Sequence, residues 1–326
     1  SFTVYLIGAF VSGFSMCMLN AVVNPMLNTL GGGGNRGNQL VQFGGSCNSI
    51  GATIVPVLVG YLMGDVYSAS ISKANPALFL AMGIFALAFI VLSFVKIPEP
   101  HLVTAKKEKE KHSPFSFRHF VLGTLAIFFY VGVEVGIANF ANLFMTQSVD
   151  KGGLAIDTTV AGTIAGTYWF LMLIGRLTGA SLGAKFSSKS MLTFVSSLGI
   201  LLILLAIFLP LSTTVNMPVF KSDISFGLAE VPIGIMLMIL CGLCTSVMWG
   251  NIFNLAVEGL GKYTAAASGI FMVMVCGGGV LPLIQGAVAD GFGYLASFWV
   301  IIVALAYILY YAQVGSKNVN KDIPVE

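Results

Sequence analysis

Long apolar segments dominate this sequence and restrict the folds that it can adopt. A transmembrane helix needs about 20 consecutive, mostly apolar residues, and nine segments of the chain meet that requirement. They cover approximately residues 2–30, 40–63, 76–95, 119–147, 160–183, 190–211, 232–256, 264–289 and 293–313. The strands of a membrane β-barrel are only about ten residues long. The segments therefore predict an all-α integral membrane protein whose helices satisfy their own backbone hydrogen bonds in lipid.

The composition excludes several other classes of protein. Apolar residues make up 57% of the 326-residue chain and charged residues 9%, whereas soluble domains have about 25% charged residues. There is too little polar surface for a soluble enzyme, a nucleic-acid-binding protein or a disordered chain. The five cysteines all lie in apolar segments, and their odd number argues against a disulfide framework. We expect no cofactor and no metal site.

The connections between successive spans fall into two alternating sets, and the basic residues are concentrated in one of them. Of the 16 lysines and arginines, all but Lys73, Lys151 and Lys221 belong to one set. The positive-inside rule places that set, and with it the C-terminus, in the cytoplasm. We therefore predict a multi-pass protein of the cytoplasmic (inner) membrane. Nine spans put Ser1 on the opposite face, and the chain opens directly in an apolar segment, so we expect further spans before Ser1.

A short motif that occurs twice indicates an internal repeat. Pro56–Gly60 resembles Pro282–Gly286, and an aspartate follows each motif. This pair predicts two halves of six spans each, related as a parallel repeat. On that basis residues 1–95 are the last three helices of an N-terminal bundle and residues 96–118 are a basic cytoplasmic linker. Residues 119–326 form a complete six-helix C-terminal bundle with a short cytoplasmic tail.

Glu134 is the acidic residue nearest to the centre of a predicted span. An unpaired charge at that depth costs at least about 2.5–3.5 kcal/mol on insertion scales, and such residues are usually functional. Glu134 is therefore predicted to face a cavity or to titrate, as a proton-coupling or substrate-binding group. The alternative is a structural hydrogen-bond anchor.

Neutral polar side chains accompany Glu134 in the predicted spans. Carboxamides supply hydrogen-bond donors and acceptors without charge, which suits a neutral polyhydroxylated solute, and an aromatic face suits the C–H face of a sugar. Hydrogen bonding between membrane helices is the alternative role for each asparagine. The predicted substrate-binding residues are Asn20, Asn24, Gln42, Asn48, Asn139, Asn142, Trp249 and Asn251.

Five motifs together resemble the fucose–galactose–glucose/H⁺ symporter family of the major facilitator superfamily. They are Asn24-Pro25 with Leu30-Gly31, Cys47–Ala52, Phe129–Val135, Gly175–Gly179 and Gly277–Pro282. The resemblance covers essentially the whole chain, from the fourth helix of the family to the twelfth. It implies the major facilitator fold, with nine of twelve transmembrane helices visible, and a central sugar cavity between two bundles. It also implies proton-coupled hexose uptake by alternating access.

The resemblance extends to individual residues, with one departure. The Asn-Ser-x-Gly-Ala pattern of the family matches Asn48 to Ala52, which makes Asn48 an implied sugar contact. Its Tyr-Val-Gly-x-Glu pattern matches Tyr130 to Glu134. The family often has Glu-Thr-x-x-Asn-Pro on the fourth helix, but Asn20 occupies the position of that glutamate and cannot carry a proton. Glu134 or an acid outside this sequence then takes its role, or coupling uses Na⁺, or the protein is a uniporter.

Other functions remain open from the sequence. A drug exporter of the same superfamily would have a more apolar cavity with few carboxamides. A sugar sensor would bind the sugar without moving it across the membrane. An intramembrane enzyme would need clustered acids, metal ligands or a nucleophile–base pair, and no such cluster is visible. The expected partners are therefore a small sugar and the lipid bilayer, with H⁺ as the coupling ion and no nucleic acid. We expect the protein to function as a monomer.

Overall fold

The computed structural model describes residues 2–32, 34–63, 75–96, 112–221, 225–320 and 322–325, and it is predominantly helical. The helices are α1 (Phe2–Leu30), α2 (Gly34–Met63), α3 (Asn75–Phe94), α4 (Arg118–Thr146), α5 (Thr158–Leu182), α6 (Ser188–Phe208), α7 (Ile233–Thr245), α8 (Met248–Val257), α9 (Thr264–Val273), α10 (Gly277–Phe292) and α11 (Tyr294–Tyr310). We call α1–α3 the N-terminal group and α4–α11 the C-terminal group. The predicted loop 64–74, with Lys73, and linker residues 97–111 lie outside the described residues.

Helices occupy all nine predicted spans. Within the described residues, eight spans are long and apolar enough to cross a membrane, which confirms the predicted membrane fold. The ninth, α2, is a 30-residue helix but falls outside that set. Four polar side chains, spaced three or four residues apart along its first half, are buried on one face: Asn38, Gln42, Ser46 and Ser49. The face of α2 that meets other helices is therefore polar.

Two of the spans are interrupted helices. The seventh span divides into α7 and α8 at a turn formed by Ser246 and Val247, and the eighth divides into α9 and α10 at the 3₁₀ turn Met274–Cys276. A break inside a membrane span frees backbone carbonyls, which are tolerated where protein surrounds them. The predicted spans 232–256 and 264–289 therefore have the expected positions but not continuous hydrogen bonding.

A β-hairpin that the apolar pattern of the sequence does not predict joins α6 to α7. Strands β1 (Thr214–Phe220) and β2 (Phe226–Pro232) pair antiparallel, with Thr214 opposite Pro232 and Phe220 opposite Phe226. The hairpin packs on α5: the backbone N–H of Phe220 donates to Thr167 Oγ1 at 3.0 Å, and the Phe220 ring stacks on Phe170 at 4.5 Å. The helical fold therefore carries one short strand pair beside the membrane helices.

The buried core lies in the C-terminal group. Its large, fully buried side chains include Tyr130, Tyr168, Phe253 and Phe298. In contrast, α3 has no buried residue, and apolar residues cover its exposed surface. Apolar surface of this kind suits contact with lipid, where it carries no solvation penalty.

One end of the molecule collects the basic residues that the sequence analysis assigned to one face. Lys189 Nζ donates to the Gln313 carbonyl at 3.0 Å, and the Lys262 N–H donates to the Val325 carbonyl at 3.0 Å. The ideal Cβ position of Gly183, close to Lys185, lies 3.5 Å from Asn38 Nδ2. We call this end, which carries Arg36, Arg118, Lys185, Lys189, Lys262 and Lys317, the basic end. The C-terminal residues therefore lie at the same end as these basic connections.

The last residues of the predicted linker pack against the C-terminal group. Pro114–Ser116 forms one 3₁₀ turn, and the buried Phe117 ring lies 5.7 Å from the ring of Tyr263. His119, in the first turn of α4, is buried, and its Nε2 lies 3.0 Å from the carbonyl oxygen of Glu258. The described part of the linker is thus attached to the bundle rather than fully surrounded by water.

Candidate functional site

A row of side chain contacts from α2 joins the N-terminal group to the C-terminal group. Asn38 Nδ2 donates to Asn251 Oδ1 on α8 at 2.9 Å. Gln42 Nε2 donates to the Val247 carbonyl, at the break between α7 and α8, at 2.8 Å. Both amides are buried. We call this row, together with the Arg176 contacts described next, the polar seam.

Arg176 on α5 extends the polar seam toward the middle of the molecule. Its Nη1 donates to the Gly45 carbonyl at 3.1 Å and to Ser49 Oγ at 2.7 Å, and both acceptors are on α2. Its Nε donates to the Ser246 carbonyl at 3.4 Å. From Asn38 to Ser49 the seam spans about 16 Å at 1.5 Å per residue, or roughly half the 30 Å hydrocarbon core. The two groups are therefore fastened from the basic end to near mid-depth.

Glu134 is the carboxylate that balances this buried guanidinium. Glu134 Oε1 lies 3.4 Å from Arg176 Nη2, and the two side chains are 14% and 10% exposed. Removing one partner of a buried ion pair typically costs about 3–5 kcal/mol, because it leaves the other charge uncompensated. Since both residues belong to the C-terminal group, Glu134 orients an arginine whose other contacts reach across to α2.

An aromatic pair lies beside the ion pair. The Tyr130 hydroxyl is buried next to Glu134 and Arg176 and interacts with both side chains, but it forms no hydrogen bond of ordinary length and angle with the described residues. The Trp249 ring, which is partly exposed, lies 6.2 Å from the Tyr130 ring in an edge-to-face arrangement. A buried hydroxyl without a well-formed hydrogen bond costs up to about 1–3 kcal/mol. A ligand hydroxyl that bonded to Tyr130 would remove that cost.

Local sequence explains why α5 reaches the broken span so closely. The Cβ of an alanine at Gly175 would lie 2.7 Å from Ser246 Cβ, and one at Gly179 would overlap Val247 Cγ1. The two glycines, four residues apart, therefore allow α5 to lie directly against the turn between α7 and α8, as small residues do in membrane helix pairs. That approach brings Arg176 within reach of the freed Ser246 carbonyl.

The predicted substrate-binding residues occupy three environments. Gln42 and Asn251 belong to the part of the polar seam toward the basic end, and Trp249 belongs to the aromatic pair beside Glu134. Asn20 is partly exposed and donates to the Met16 carbonyl of its own helix at 3.1 Å. Asn24 is buried, and its Nδ2 has no partner among the described residues.

The remaining three predicted residues form none of the hydrogen bonds of the polar seam. Asn48 and Asn139 are exposed. Asn142 is partly buried, and its Oδ1 has no partner among the described residues. The sugar contacts predicted at these three positions stay predictions. Each side chain retains hydrogen-bonding capacity that a ligand can use.

Sequence reasoning missed the most connected residue of the site. It assigned Arg176 to the cytoplasmic set of basic residues and treated Glu134 as unpaired. Arg176 lies inside an apolar segment, as Glu134 does, and two opposite charges inside membrane spans are expected to pair. That signal would have identified the ion pair. The contacts of Asn38 and Ser49 depend on helix rotation, which no pattern in the sequence gave.

A polytopic helical protein with interrupted spans, whose two helix groups meet along a polar seam, has the architecture of a membrane carrier. Residues 1–283 match the family described as Major Facilitator Superfamily. The chain belongs to that superfamily, whose members are transporters rather than enzymes.

Curated relatives and solved structures agree with this assignment. The chain is 29% identical over 323 residues to a protein of Brucella abortus named glucose/galactose transporter, covering 97% of this chain and 73% of that protein. It is 23% identical to the L-fucose-proton symporter of Escherichia coli over 348 residues, covering 98% and 73%. The crystal structure of the transporter FucP in the outward conformation shares the fold, with a TM-score of 0.77, 20% identity and coverage of 98% and 77%.

Proposed function

We propose that this protein carries a neutral hexose across the bacterial inner membrane by alternating access, coupled to protons. The observation that carries the proposal is the Tyr130 hydroxyl, which is buried without a well-formed hydrogen bond beside the Glu134–Arg176 ion pair and the Trp249 ring. The relatives named glucose/galactose transporter and L-fucose-proton symporter support the same substrate class.

The chemistry of these groups suits a sugar better than a lipophilic cation. A sugar ring presents C–H groups that pack on an aromatic face and hydroxyls that both donate and accept. Tyr130 and Glu134 supply the complementary hydrogen-bonding groups, and Asn24 and Asn142 each have an amide atom without a partner among the described residues.

The basic end is the cytoplasmic side in this proposal. The positive-inside rule supports that orientation, which also places the C-terminus in the cytoplasm. The polar seam then closes the cytoplasmic half between the two groups, and we expect the access route in this conformation to lie on the outer side. Monomeric function is part of the proposal, since the route between the two groups lies within one chain.

Glu134 is the proposed proton carrier. One charge crossing 100 mV supplies about 2.3 kcal/mol, whereas tenfold accumulation of a neutral solute needs about 1.4 kcal/mol. A single proton per sugar is therefore sufficient for uphill uptake. Asn20 has no titratable group, so a carboxylate elsewhere has to take this role, and Glu134 already lies beside the proposed sugar contacts.

Uptake of radiolabelled glucose, galactose and fucose into proteoliposomes tests the transport proposal. We expect saturable uptake that an inward proton gradient drives above the external concentration. Uptake that requires a Na⁺ gradient would show that Na⁺, and not H⁺, is the coupling ion. Uptake that never exceeds the external sugar concentration would indicate a uniporter. Sugar binding without any uptake would indicate a sensor, and neither binding nor uptake would reject the sugar proposal.

Replacing Glu134 tests the coupling separately. Glu134→Gln keeps a hydrogen-bonding group of the same size but cannot change its charge. We expect it to abolish accumulation driven by a pH gradient while preserving exchange of internal for external sugar, because exchange needs no net proton movement. Uphill uptake at the wild-type level in this variant would remove Glu134 from the coupling mechanism.

A further inference from the structure

Arg176 contacts three separate parts of the structure at once. Its guanidinium bonds to the Gly45 carbonyl and Ser49 hydroxyl of α2, to the Ser246 carbonyl at the broken span, and to the Glu134 carboxylate on α4. The α2 contacts are the ones that cross between the two helix groups. Separation of the groups at the basic end therefore has to break them.

We propose that Arg176 is the positioning residue that links the charge of Glu134 to closure of the cytoplasmic side. When Glu134 is ionised, it holds the guanidinium in the orientation that also bonds α2. When Glu134 is protonated, Arg176 is a buried cation without a counter-charge, and the closed seam loses stability relative to an open state in which water reaches the guanidinium. This inference rests on the proposed function, since it assigns to one proton both coupling and gating.

The surroundings of Glu134 leave Arg176 as its charged partner. Among the described residues, the ionisable groups that face Glu134 are Arg176 and Tyr168 on α5 and Tyr130 on its own helix. From α7, Cys241 adds a thiol near Tyr168. Phenols and thiols of ordinary acidity are neutral near pH 7. The facing parts of α2 and α8 present amides, a hydroxyl and carbonyls.

The seam also contains contacts that are independent of Glu134. The Asn38–Asn251 and Gln42–Val247 hydrogen bonds join uncharged groups, so protonation of Glu134 leaves them unchanged. They contribute to closure at every pH, whereas the Arg176 contacts contribute according to the charge of Glu134. This difference provides a matched control within the same interface.

Distances between spin labels at the basic end test the inference without any sugar. Labels at Arg36→Cys on α2 and Lys185→Cys after α5 lie on exposed positions of opposite groups, with the exposed Cys17, Cys47 and Cys276 replaced by serine. In the reconstituted protein we expect double electron–electron resonance to show a short distance in alkaline buffer. A longer distance should become severalfold more populated in acidic buffer.

Four variants of this labelled protein separate coupling from simple closure. Glu134→Gln and Arg176→Gln should each show the long distance at both pH values, with the pH response lost. Asn38→Ala should raise the long-distance population but keep the pH response. Ser49→Ala keeps the ion pair and removes one α2 acceptor, so it should fold normally and show a smaller pH response.

A normal pH response in Glu134→Gln, or a wild-type distance distribution in Arg176→Gln that elutes as a folded monodisperse protein, would overturn the inference. If Arg176→Gln does not fold, an undiminished pH response in Ser49→Ala overturns it instead. The result is distinguishable from failure of the proposed function. If the wild-type protein takes up no hexose but keeps the pH response of the label distance, sugar transport is rejected and the coupling is not. If it takes up hexose but shows no pH response, the coupling is rejected and sugar transport is not.

Discussion

Single side chains define how the site recognises a ligand, and Tyr130 is the clearest example. Its ring is fully buried in the core, while its hydroxyl lies beside Glu134 and Arg176 without a well-formed hydrogen bond to either. A hydrogen bond of poor geometry is weak, so the hydroxyl adds little to the stability of the folded protein. We therefore expect it to contribute mainly when a substrate is bound.

Tyr130→Phe tests this reading. One hydrogen bond contributes about 0.5–1.5 kcal/mol, so we expect KM for the transported sugar to rise roughly two- to tenfold. The melting temperature should be unchanged or slightly higher, because the substitution also removes a poorly bonded buried hydroxyl. Initial-rate uptake and thermal unfolding monitored by tryptophan fluorescence measure the two quantities.

Tyr311→Phe is the matched control. Tyr311 is also fully buried with an unpaired hydroxyl, but it lies toward the basic end, beside Gly123. Its KM should equal that of the wild type. An equal rise of KM in both variants would show that the Tyr130 effect is a general consequence of core repacking and not of sugar contact.

At the scale of helices and strands, close packing against the broken seventh span positions Arg176. Gly175→Ala places a methyl group 2.7 Å from Ser246 Cβ. Overpacking of this kind costs about 1–3 kcal/mol, so we expect a lower melting temperature and weaker closure. Gly162→Ala on the same helix meets no atom within 4 Å and should leave the melting temperature unchanged or slightly higher. Equal effects of the two substitutions would contradict the packing argument.

The hairpin is the second element whose packing makes a measurable prediction. Phe170 stacks on Phe220 at 4.5 Å and meets Phe226 edge-to-face at 5.5 Å. Phe→Ala at a buried site costs about 3–5 kcal/mol, and Phe170 is only partly buried, so we expect Phe170→Ala to lose about half that amount. Phe194→Ala on the exposed face of α6 is the control, and size-exclusion profiles after heating compare the two.

At the scale of the whole molecule, transport requires the two helix groups to separate at the polar seam. Asn38→Cys with Asn251→Cys replaces a 2.9 Å hydrogen bond between the groups by two thiols. With the exposed Cys17, Cys47 and Cys276 replaced by serine, cross-linking the two thiols with a short bis-methanethiosulfonate should stop net uptake, because the basic end can no longer open. This reagent forms a disulfide with each thiol and releases a sulfinate at each end, so a reductant that cleaves the disulfides should restore uptake. The two single-cysteine variants should remain active after the same treatment. Full uptake by the cross-linked protein would rule out opening at this seam.

The sequence by itself determined the membrane class, the positions of the nine spans and the family. Apolar segments longer than a bilayer is thick allow few structures other than helices, and motif resemblance pointed to the superfamily that residues 1–283 match. The sequence also identified Glu134 as a residue that needs a partner or a cavity. An isolated charge inside a membrane span is costly whatever the arrangement of the neighbouring helices.

Only the tertiary structure decided which side chains meet. Gln42 bonds to a carbonyl 205 positions away, and that pairing depends on how each helix is rotated about its axis and on the turn between α7 and α8. The hairpin depends on packing against Phe170 as well as on local sequence. Long apolar segments predict membrane helices because lipid offers the backbone no hydrogen-bond partner. Polar residues on mostly apolar helices give little information about how each helix is rotated about its axis. Packing between the helices sets that rotation.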